Sequence, residues 1–239
     1  MADENAVERI LVVVAHPDDC DFGCAATTAT WTASGLSVSY CIVTNGDAGG
    51  SDRSASRADV ARLRQEEQRA AAKVVGVDDI AFLGFPDGKV TPSLELRRDI
   101  SRVIRQRRPQ RVVTQSPIRN FERIFASHPD HLAVGEATLC AVYPDARNPF
   151  AHPELLDVEG LEPHTVAEVW MMSIGNADQV VDVTATVDRK MEALRQHRSQ
   201  YDDWEQLDGR VRDWMRATAR GHGLPEDHYA EQFQLVRTA

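Results

Sequence analysis

The sequence predicts an α/β protein built on a Rossmann-like, doubly wound and mainly parallel sheet. Short apolar runs alternate four times with longer segments of helical character, as in strands joined by crossover helices. The first run, residues 10–14, is continuously apolar and mostly β-branched, which is typical of a strand buried on both faces. The chain has 239 residues, of which 42% are hydrophobic and 27% charged, an ordinary globular composition.

The elements follow from apolar periodicity and from the residues that start and stop helices. Strands are expected at 10–14, 38–44, 80–83, 111–115, 167–174 and 180–183, with a last strand or an apolar docking segment at 229–236. Helices are expected at 21–34, from Ser54 or Ser56 to 75, at 94–107, at 129–142, from Thr184 or Thr186 to 201, and at 208–220. Ser93 can cap its helix, and Pro129 suits a first helical turn.

These elements predict a single domain over residues 1–239, with a core at about 9–142 and a smaller C-terminal α/β extension. The common strand order for such a sheet is 3-2-1-4-5, with right-handed crossovers. Residues 143–165 contain four prolines and no clear periodicity. Because a loop of that length is usually functional, this segment and the remainder to 239 are expected to close the substrate pocket.

Charge and hydropathy argue against several classes of partner. The net charge of −10 and the pI of about 5.3 disfavour nucleic acid and anionic membranes, and favour a small neutral or cationic substrate. No stretch approaches the roughly 20 apolar residues of a membrane span, and the acidic N-terminus lacks signal-peptide character, so a cytoplasmic protein is expected. The third helix has a basic face, expected to be solvated: Arg97, Arg98, Arg102, Arg105, Arg107 and Arg108.

The cysteines and two of the histidines carry no clear functional signal. The four cysteines, Cys20, Cys24, Cys41 and Cys140, form no C-x-x-C pair, which disfavours a structural zinc knuckle. Cys20 and Cys24 are expected to be buried as small hydrophobic residues. His152 and His164 are expected on the surface of the long loop.

Two polar motifs follow the first and fourth strands. The first is His16-Pro-Asp18-Asp19 and the second is His128-Pro-Asp130-His131. In the order 3-2-1-4-5 these strands are neighbours, and ligands bind at their carboxyl ends, where the strand order reverses. The sequence therefore predicts that both motifs line one crevice.

The residue types in this crevice suit a catalytic metal. Three nitrogen or oxygen ligands with an open position are typical of catalytic zinc, and imidazole and carboxylate also suit iron(II). Such an ion activates water and polarises a carbonyl. A nearby carboxylate can act as the general base, and a further histidine can stabilise an oxyanion or protonate a leaving amine.

The paired motifs resemble those of the PIG-L or LmbE-like family of metal-dependent N-acetylglucosaminyl deacetylases. Further matching segments are Thr44-Asn-Gly-Asp-Ala-Gly49, Arg64-x-x-Glu67, Phe82-Leu-Gly-Phe-Pro-Asp-Gly88, and Lys190 with His197-Arg-Ser-Gln200. The resemblance covers about residues 9–200. It implies zinc, with iron(II) as the alternative, and a chain that can form homo-oligomers.

The resemblance also implies roles for matching positions. His16, Asp19 and His131 would bind the metal. Asp18 would be the general base, His128 the oxyanion stabiliser or general acid, and Asp130 would orient a histidine. Arg64 and Asp87 would contact the substrate. Two positions depart from the family pattern: Ala126 stands where a tyrosine assists related thiol-sugar deacetylases, and Cys20 replaces a common glutamate.

The function implied is the removal of an N-acyl group, usually acetyl, from an amino sugar or a related small amide. One alternative keeps the chemistry and changes the substrate to a thiol conjugate or a natural product. Another alternative is a non-catalytic sugar-binding α/β module.

Overall fold

The computed structural model describes residues 7–50, 54–172 and 177–238. The strands are β1 Arg9–Val14, β2 Ser37–Thr44, β3 Asp79–Phe85, β4 Arg111–Gln115, β5 Glu168–Met172, β6 Gln179–Asp182 and β7 Ala230–Arg237. The α-helices are α1 Asp19–Ala33, α2 Arg57–Val74, α3 Leu94–Arg107, α4 Pro129–Val142, α5 Pro153–Asp157, α6 Val187–Arg195 and α7 Trp204–Gly221. Short 3-10 turns lie at Ile124–Ser127 and Asp145–Arg147.

The seven strands form one sheet in the order β3-β2-β1-β4-β5-β7-β6. The first five strands in this order pair in parallel, which confirms the predicted order 3-2-1-4-5. β7 runs antiparallel to both β5 and β6, so the C-terminal extension continues the same sheet. β1 is paired on both sides, and its residues 10–14 are buried, as the continuous apolar run predicts.

Helices cover both faces of the sheet. α3 and α4 pack on one face around Leu11, Ile100 and Val134. α1 and α2 pack on the other face around Val12, Ala29 and Ala71, with Cys20 and Cys24 fully buried there as expected. α6 and α7 cover the outer side of α1 in a third apolar cluster. None of the described helices is both long and apolar enough to cross a membrane.

α1 is interrupted at Cys24, where φ is −152° and ψ is 17°. The interruption frees the N–H groups of Ala26 and Thr27, which donate to the Glu231 carboxylate of β7 at 3.3 and 2.8 Å. The Lys190 ammonium lies 2.6 Å from the same carboxylate and is fully buried. A residue of the last strand therefore closes the break in the first helix.

Two helix boundaries of the C-terminal extension differ from the sequence prediction. α6 ends at Arg195 instead of 201, because the following residues turn back to bond the core: His197 Nε2 lies 2.8 Å from an Asp21 oxygen, and Ser199 donates its N–H to Glu67 at 2.8 Å. α7 begins at Trp204 instead of 208 because the Asp203 side chain caps it. For the predicted strand 167–174, positions 173–174 lie outside the described residues.

The expectation that segment 143–165 closes the pocket does not agree with its contacts. The segment packs against the C-terminal end of α3 and the start of β4, at the edge of the sheet opposite the carboxyl end of β1. Arg105, predicted to be solvated, is 2% exposed and donates to backbone carbonyls there: those of Asp145, Ala146, Asn148, Ala151 and Leu161. Segment 143–165 instead covers the end of the sheet at which the parallel strands begin.

The expectation of surface histidines in the segment is also wrong. His152 Nε2 lies 3.3 Å from Asp145 Oδ2, and its side chain is 14% exposed. His164 Nε2 lies 2.7 Å from the carbonyl oxygen of Pro109. His152 therefore bonds within the segment, whereas His164 holds the segment against the residues that precede β4.

Candidate active site

The two His-Pro-Asp motifs meet at the carboxyl ends of β1 and β4. The side-chain oxygen of Gln115, at the end of β4, accepts the N–H of Ala15 at 3.0 Å. Asp18 occupies the N-cap position of α1, and His128 occupies that of α4, where its Nδ1 accepts the N–H of Asp130 at 3.2 Å. The structure therefore brings both motifs into one cluster at the helix N-termini.

The side chains of three candidate ligands form a tight triangle, in which the two oxygens of Asp19 share one corner. His16 Nδ1 lies 3.1 Å from His131 Nε2 and 3.3 Å from Asp19 Oδ2. His131 Nε2 lies 3.1 Å from Asp19 Oδ1. Ligands held about 2.0–2.2 Å from a tetrahedral ion are separated by about 3.3–3.6 Å. The triangle therefore fits a divalent cation with a fourth position left for water or substrate.

Other groups of side chains also come within ligand distance of one another. These are His16 with His128 and His131, and His16 with Asp87 and Asp130. The second group is better explained as support, because His16 Nε2 lies 3.2 Å from both Asp87 Oδ1 and Asp130 Oδ2. A metal-binding histidine normally donates its other ring N–H to a carboxylate. With the proton on Nε2, Nδ1 is the candidate ligand atom of His16.

The carboxylates around His16 favour positive charge at this side of the cluster. Burial lowers the pKa of His16, but the hydrogen bonds that its ring donates to the Asp130, Asp19 and Asp87 carboxylates, with the charge of Asp19, outweigh it and raise the pKa to about 12. Burial would raise the pKa of Asp130, yet its bonds to His16 and to the N–H groups of Gly88 and Val90 lower it. The carboxylate of Asp130 thus stays ionised and attracts positive charge to the His16 side of the cluster.

His128 differs from the other two histidines of the cluster. Burial, followed by the charges of His16 and His131, lowers its pKa. It is therefore a neutral imidazole whose Nδ1 accepts a backbone hydrogen bond. In this tautomer, Nε2 carries the proton and can donate to an oxygen atom.

Asp18 is held by three contacts outside the triangle. Its Oδ2 accepts from Tyr201 OH at 2.8 Å and from Arg64 Nη2 at 3.2 Å. Its N–H donates to Gln68 Oε1 at 2.7 Å, in a left-handed conformation with φ at 99°. Burial and the neighbouring Asp19 charge raise the pKa of Asp18. A fixed carboxylate with a raised pKa suits a proton acceptor.

Three residues of this network, Asp21, Gln68 and Tyr201, were missed by the sequence analysis. Gln68 donates its Nε2 hydrogen to Asp21 Oδ2 at 2.9 Å, and His197 bonds the same oxygen. Tyr201 approaches Asp18 from the segment that follows α6. Their positions in the sequence could have indicated two of them, because Tyr201 directly follows the His197–Gln200 motif and Gln68 directly follows Glu67.

Arg64 and Asp87, the predicted substrate contacts, are both largely enclosed. Arg64 is 4% exposed and donates to the carbonyl oxygens of Pro17 at 2.6 Å and Gly46 at 3.1 Å. A Cβ atom at Gly49 would collide with the Arg64 guanidinium, so the glycine-rich loop packs against this arginine. These contacts make Arg64 a support for Asp18, and its contact with substrate stays a prediction.

Comparisons with known proteins agree with this arrangement. The model of the PIG-L family, described as GlcNAc-PI de-N-acetylase, matches residues 11–142, which is more than half of the chain. The chain belongs to the PIG-L family. Diacetylchitobiose deacetylase of Thermococcus kodakarensis is 32% identical over 235 residues, covering 97% of this chain and 84% of the relative.

Two further relatives support the membership in the PIG-L family. A probable N-acetyl-α-D-glucosaminyl L-malate deacetylase 2 of Bacillus anthracis is 30% identical over 199 residues, covering 81% of each chain. The solved structure of N,N'-diacetylchitobiose deacetylase from Pyrococcus horikoshii, in complex with its inhibitor MPG, superposes with a TM-score of 0.89 at 28% identity. That match covers 97% of this chain and 84% of the solved one.

A cavity of about 550 Å³ opens from the triangle in this PIG-L family member, with Asp19 and His131 in its wall. Ala126, one of the two positions expected to depart from the family pattern, lines the same cavity. Cys20, the other departure, is fully buried. The small side chain of Ala126 therefore leaves room in the cavity, while Tyr201 supplies a phenol on the Asp18 side.

Proposed function

We propose that this protein is a divalent-metal-dependent hydrolase that removes the N-acetyl group of an amino sugar. Zinc is the proposed native metal, with iron(II) as the alternative. The observation that carries the proposal is the triangle of His16 Nδ1, His131 Nε2 and Asp19 oxygens, beside a separately held carboxylate, Asp18. This is a set of ligands with a base next to it, which amide hydrolysis requires.

His16, Asp19 and His131 are the residues that would hold the ion. When bound, the ion would lower the pKa of a water molecule and polarise the amide carbonyl. Asp18 would accept the proton of the attacking water, and Tyr201 and Arg64 keep its carboxylate in place for that transfer. Asp130 would keep His16 in the tautomer that binds metal.

The remaining steps fall to His128 and to the protonated Asp18. The Nε2–H of neutral His128 would donate to the oxygen that becomes negative as water adds to the amide carbon. The C–N bond then breaks, the carbonyl re-forms as acetate, and the nitrogen leaves as an amine with the proton that Asp18 took from water. The alternative for His128 is to deliver that proton itself.

The substrate is proposed to be an N-acetylglucosamine derivative. The two relatives described above act, by their names, on diacetylchitobiose and on N-acetylglucosaminyl malate. A glycoside of N-acetylglucosamine is common to both. An acidic protein with a net charge of −10 is compatible with a small neutral glycoside of this kind.

The test combines metal analysis with amine release. Asp18→Asn is expected to keep about one metal ion per chain and to lose at least about a hundredfold in kcat, because removing a general base costs that much. His131→Ala is expected to lose the metal and the activity together. His228→Ala is the matched control, because its imidazole bonds Asp182 at the exterior, and it should keep both.

The assay uses N-acetylglucosamine, its glycosides and thiol conjugates with zinc or iron(II). Full activity of metal-loaded Asp18→Asn would overturn the proposed role of this base. A metal-loaded wild-type protein that binds sugars and releases no amine would instead favour the non-catalytic module.

A further inference from the structure

The proposed base, Asp18, has an unusual backbone conformation. Its φ is 99° and its ψ is −25°, in a region that residues other than glycine rarely adopt, because their Cβ atom clashes with the backbone. A residue keeps such a conformation only where its surroundings hold the backbone in place. The groups that hold the Asp18 backbone therefore bear on how the base is positioned.

This conformation accompanies a carboxylate that does not cap its own helix. Asp18 stands at the N-cap of α1, where an aspartate with an extended backbone normally accepts an N–H of the first turn. Asp203 does so at the start of α7, with φ at −109° and a 2.9 Å bond from the N–H of Gln206. The Asp18 side chain makes no such bond and accepts from Tyr201 and Arg64 instead. The strained backbone therefore leaves the carboxylate available for its proposed role.

α2 holds the peptide group that precedes Asp18 on both sides. Arg64 Nη2 donates to the carbonyl oxygen of Pro17 at 2.6 Å, and Gln68 Oε1 accepts the N–H of Asp18 at 2.7 Å. Arg64 and Gln68 are four positions apart, so they lie on the same face of the helix. Because the peptide unit is planar, a rotation that changed φ of Asp18 would break both bonds. The pair therefore maintains the strained conformation.

The amide of Gln68 is itself oriented by two buried side chains. Its Nε2 donates to Asp21 Oδ2 at 2.9 Å, and His197 Nε2 lies 2.8 Å from the same oxygen. Gln68, Asp21 and His197 are all 0% exposed. Because a carboxylate accepts hydrogen bonds, the amide nitrogen faces Asp21 and the amide oxygen faces Asp18. The direction of the amide is thus set from its far side.

The buried face of α2 is more polar than packing requires. Its buried residues are Arg64, Glu67, Gln68, Ala71 and Ala72. The two alanines pack in the apolar cluster on this side of the sheet, whereas the preceding turn buries three polar side chains. Burying a polar group costs free energy unless it is hydrogen-bonded. An apolar residue at position 68 would satisfy packing alone, so the amide is retained for its bonds.

We infer that Gln68 is a positioning residue, which holds the Pro17–Asp18 peptide in the orientation that separates the proposed base, Asp18, from the proposed metal ligand, Asp19. Asp21 acts through Gln68 by fixing the direction of its amide. The inference rests on the proposed N-deacetylase function. It adds to that function a reason why two adjacent aspartates take different roles.

The first test removes both hydrogen bonds of the amide. Gln68→Met keeps a side chain of similar length, and kcat should fall about ten- to hundredfold, because displacing a catalytic group by about 1 Å costs that much. KM and metal content should stay near the wild-type values, since no side chain of the triangle bonds Gln68 among the described residues. Gln110→Met is the matched control, because Gln110 accepts the N–H of Arg9 at 2.9 Å, at the opposite end of β1.

Two results of this test would overturn the inference. One is an unchanged kcat in Gln68→Met that is folded by circular dichroism and loaded with metal. The other is an equal loss of kcat and bound metal, because it would indicate a general structural role. A loss of kcat in Gln110→Met as large as that in Gln68→Met would have the same meaning.

The second test exchanges the donor and the acceptor between positions 68 and 21. Gln68→Glu places a carboxylate against the Asp21 carboxylate, which repels it, so kcat should fall at least as far as in Gln68→Met. Adding Asp21→Asn supplies an amide donor opposite the new carboxylate and restores the wild-type total charge. The double variant should recover most of the lost kcat. A folded double variant no more active than Gln68→Glu would contradict the role of Asp21.

Hydrogen exchange of the Asp18 N–H, measured by NMR, separates this inference from the proposed function. Exchange should be at least about tenfold faster in Gln68→Met than in the wild type, because the acceptor is lost, and the N–H of Val12 in β1 reports any general loss of stability. If the metal-loaded wild-type protein releases no amine from any N-acetylated probe, the deacetylase proposal fails, and the exchange rates still decide whether Gln68 holds Asp18. Equal exchange in both proteins would exclude that hold.

Discussion

Tyr201 donates a 2.8 Å hydrogen bond to Oδ2 of Asp18 across 183 positions of sequence. The phenol is largely enclosed, and burial followed by the Asp18 charge raises its own pKa. Tyr201 therefore stays protonated and acts on Asp18 as a hydrogen-bond donor. It fixes the orientation of the proposed base, whose other oxygen, Oδ1, has no hydrogen-bond partner among the described residues.

Removing this donor should slow the chemical step. Tyr201→Phe is expected to lower kcat about tenfold, because a hydrogen bond to a charged group contributes about 1.5–3 kcal/mol and Arg64 still holds the carboxylate. KM and metal content should stay near the wild-type values. Steady-state kinetics with metal analysis measures all three. Tyr229→Phe, which loses a bond from Arg216, is the control, and an equal loss there would contradict the assigned role.

Asp130 should control metal affinity through His16. Asp130→Asn removes the negative charge that holds the Nε2–H of His16 at 3.2 Å, and the affinity for zinc should fall about 10–100-fold. Competition with a chromophoric chelator measures the dissociation constant. Asp182→Asn, which removes the partner of His228, should leave it unchanged. A wild-type affinity in Asp130→Asn would show that Asp87 alone orients the imidazole.

Arg105 should matter for stability and not for chemistry. Arg105→Met leaves five backbone carbonyls without this donor, and the free energy of unfolding should fall by about 3 kcal/mol or more. Urea denaturation measures the change. Arg98→Met on the same helix is expected to cost less than about 1 kcal/mol, because Arg98 is partly exposed and its ion pair among the described residues is with the neighbouring Asp99. Activity per folded molecule should be unaffected by either change.

His197 should make the free energy of unfolding depend on pH. Burial lowers the pKa of His197, but the Asp21 hydrogen bond and charge outweigh it and raise the pKa above 6.5. The folded state therefore binds this proton more tightly than the unfolded state, so the contribution is complete below about pH 6.5 and declines as the pH rises through the folded-state pKa.

His197→Gln should consequently destabilise the protein most at low pH. The difference in unfolding free energy between wild type and variant, measured by urea denaturation from pH 5 to 9, should shrink as the pH rises. A difference that is constant over this range would contradict the link between His197 and Asp21.

Much of the architecture could be predicted because its signals are local. The apolar run at 10–14, Ser93 as a cap and Pro129 in a first turn depend on neighbouring residues, and the structure has elements where they indicate. The strand order also followed, because few topologies satisfy short right-handed crossovers. The meeting of the two His-Pro-Asp motifs is a direct consequence of that order.

The features that escaped prediction depend on pairs far apart in the chain. α6 stops at Arg195 because Ser199 bonds Glu67, which lies 132 positions earlier. Arg105 looked like one more arginine on a basic helix face until the carbonyls of a distant segment surrounded it. Apolar periodicity contains no information about such polar pairs, since each partner alone is compatible with a solvated surface.

The break in α1 at Cys24 has a consequence for how the protein is made. The break in α1 is closed by the carboxylate of Glu231, which a ribosome synthesises 204 positions after Thr27. While the chain is still growing, the N–H groups of Ala26 and Thr27 lack this acceptor. The two hydrogen bonds that close this break therefore form only after β7 has been synthesised.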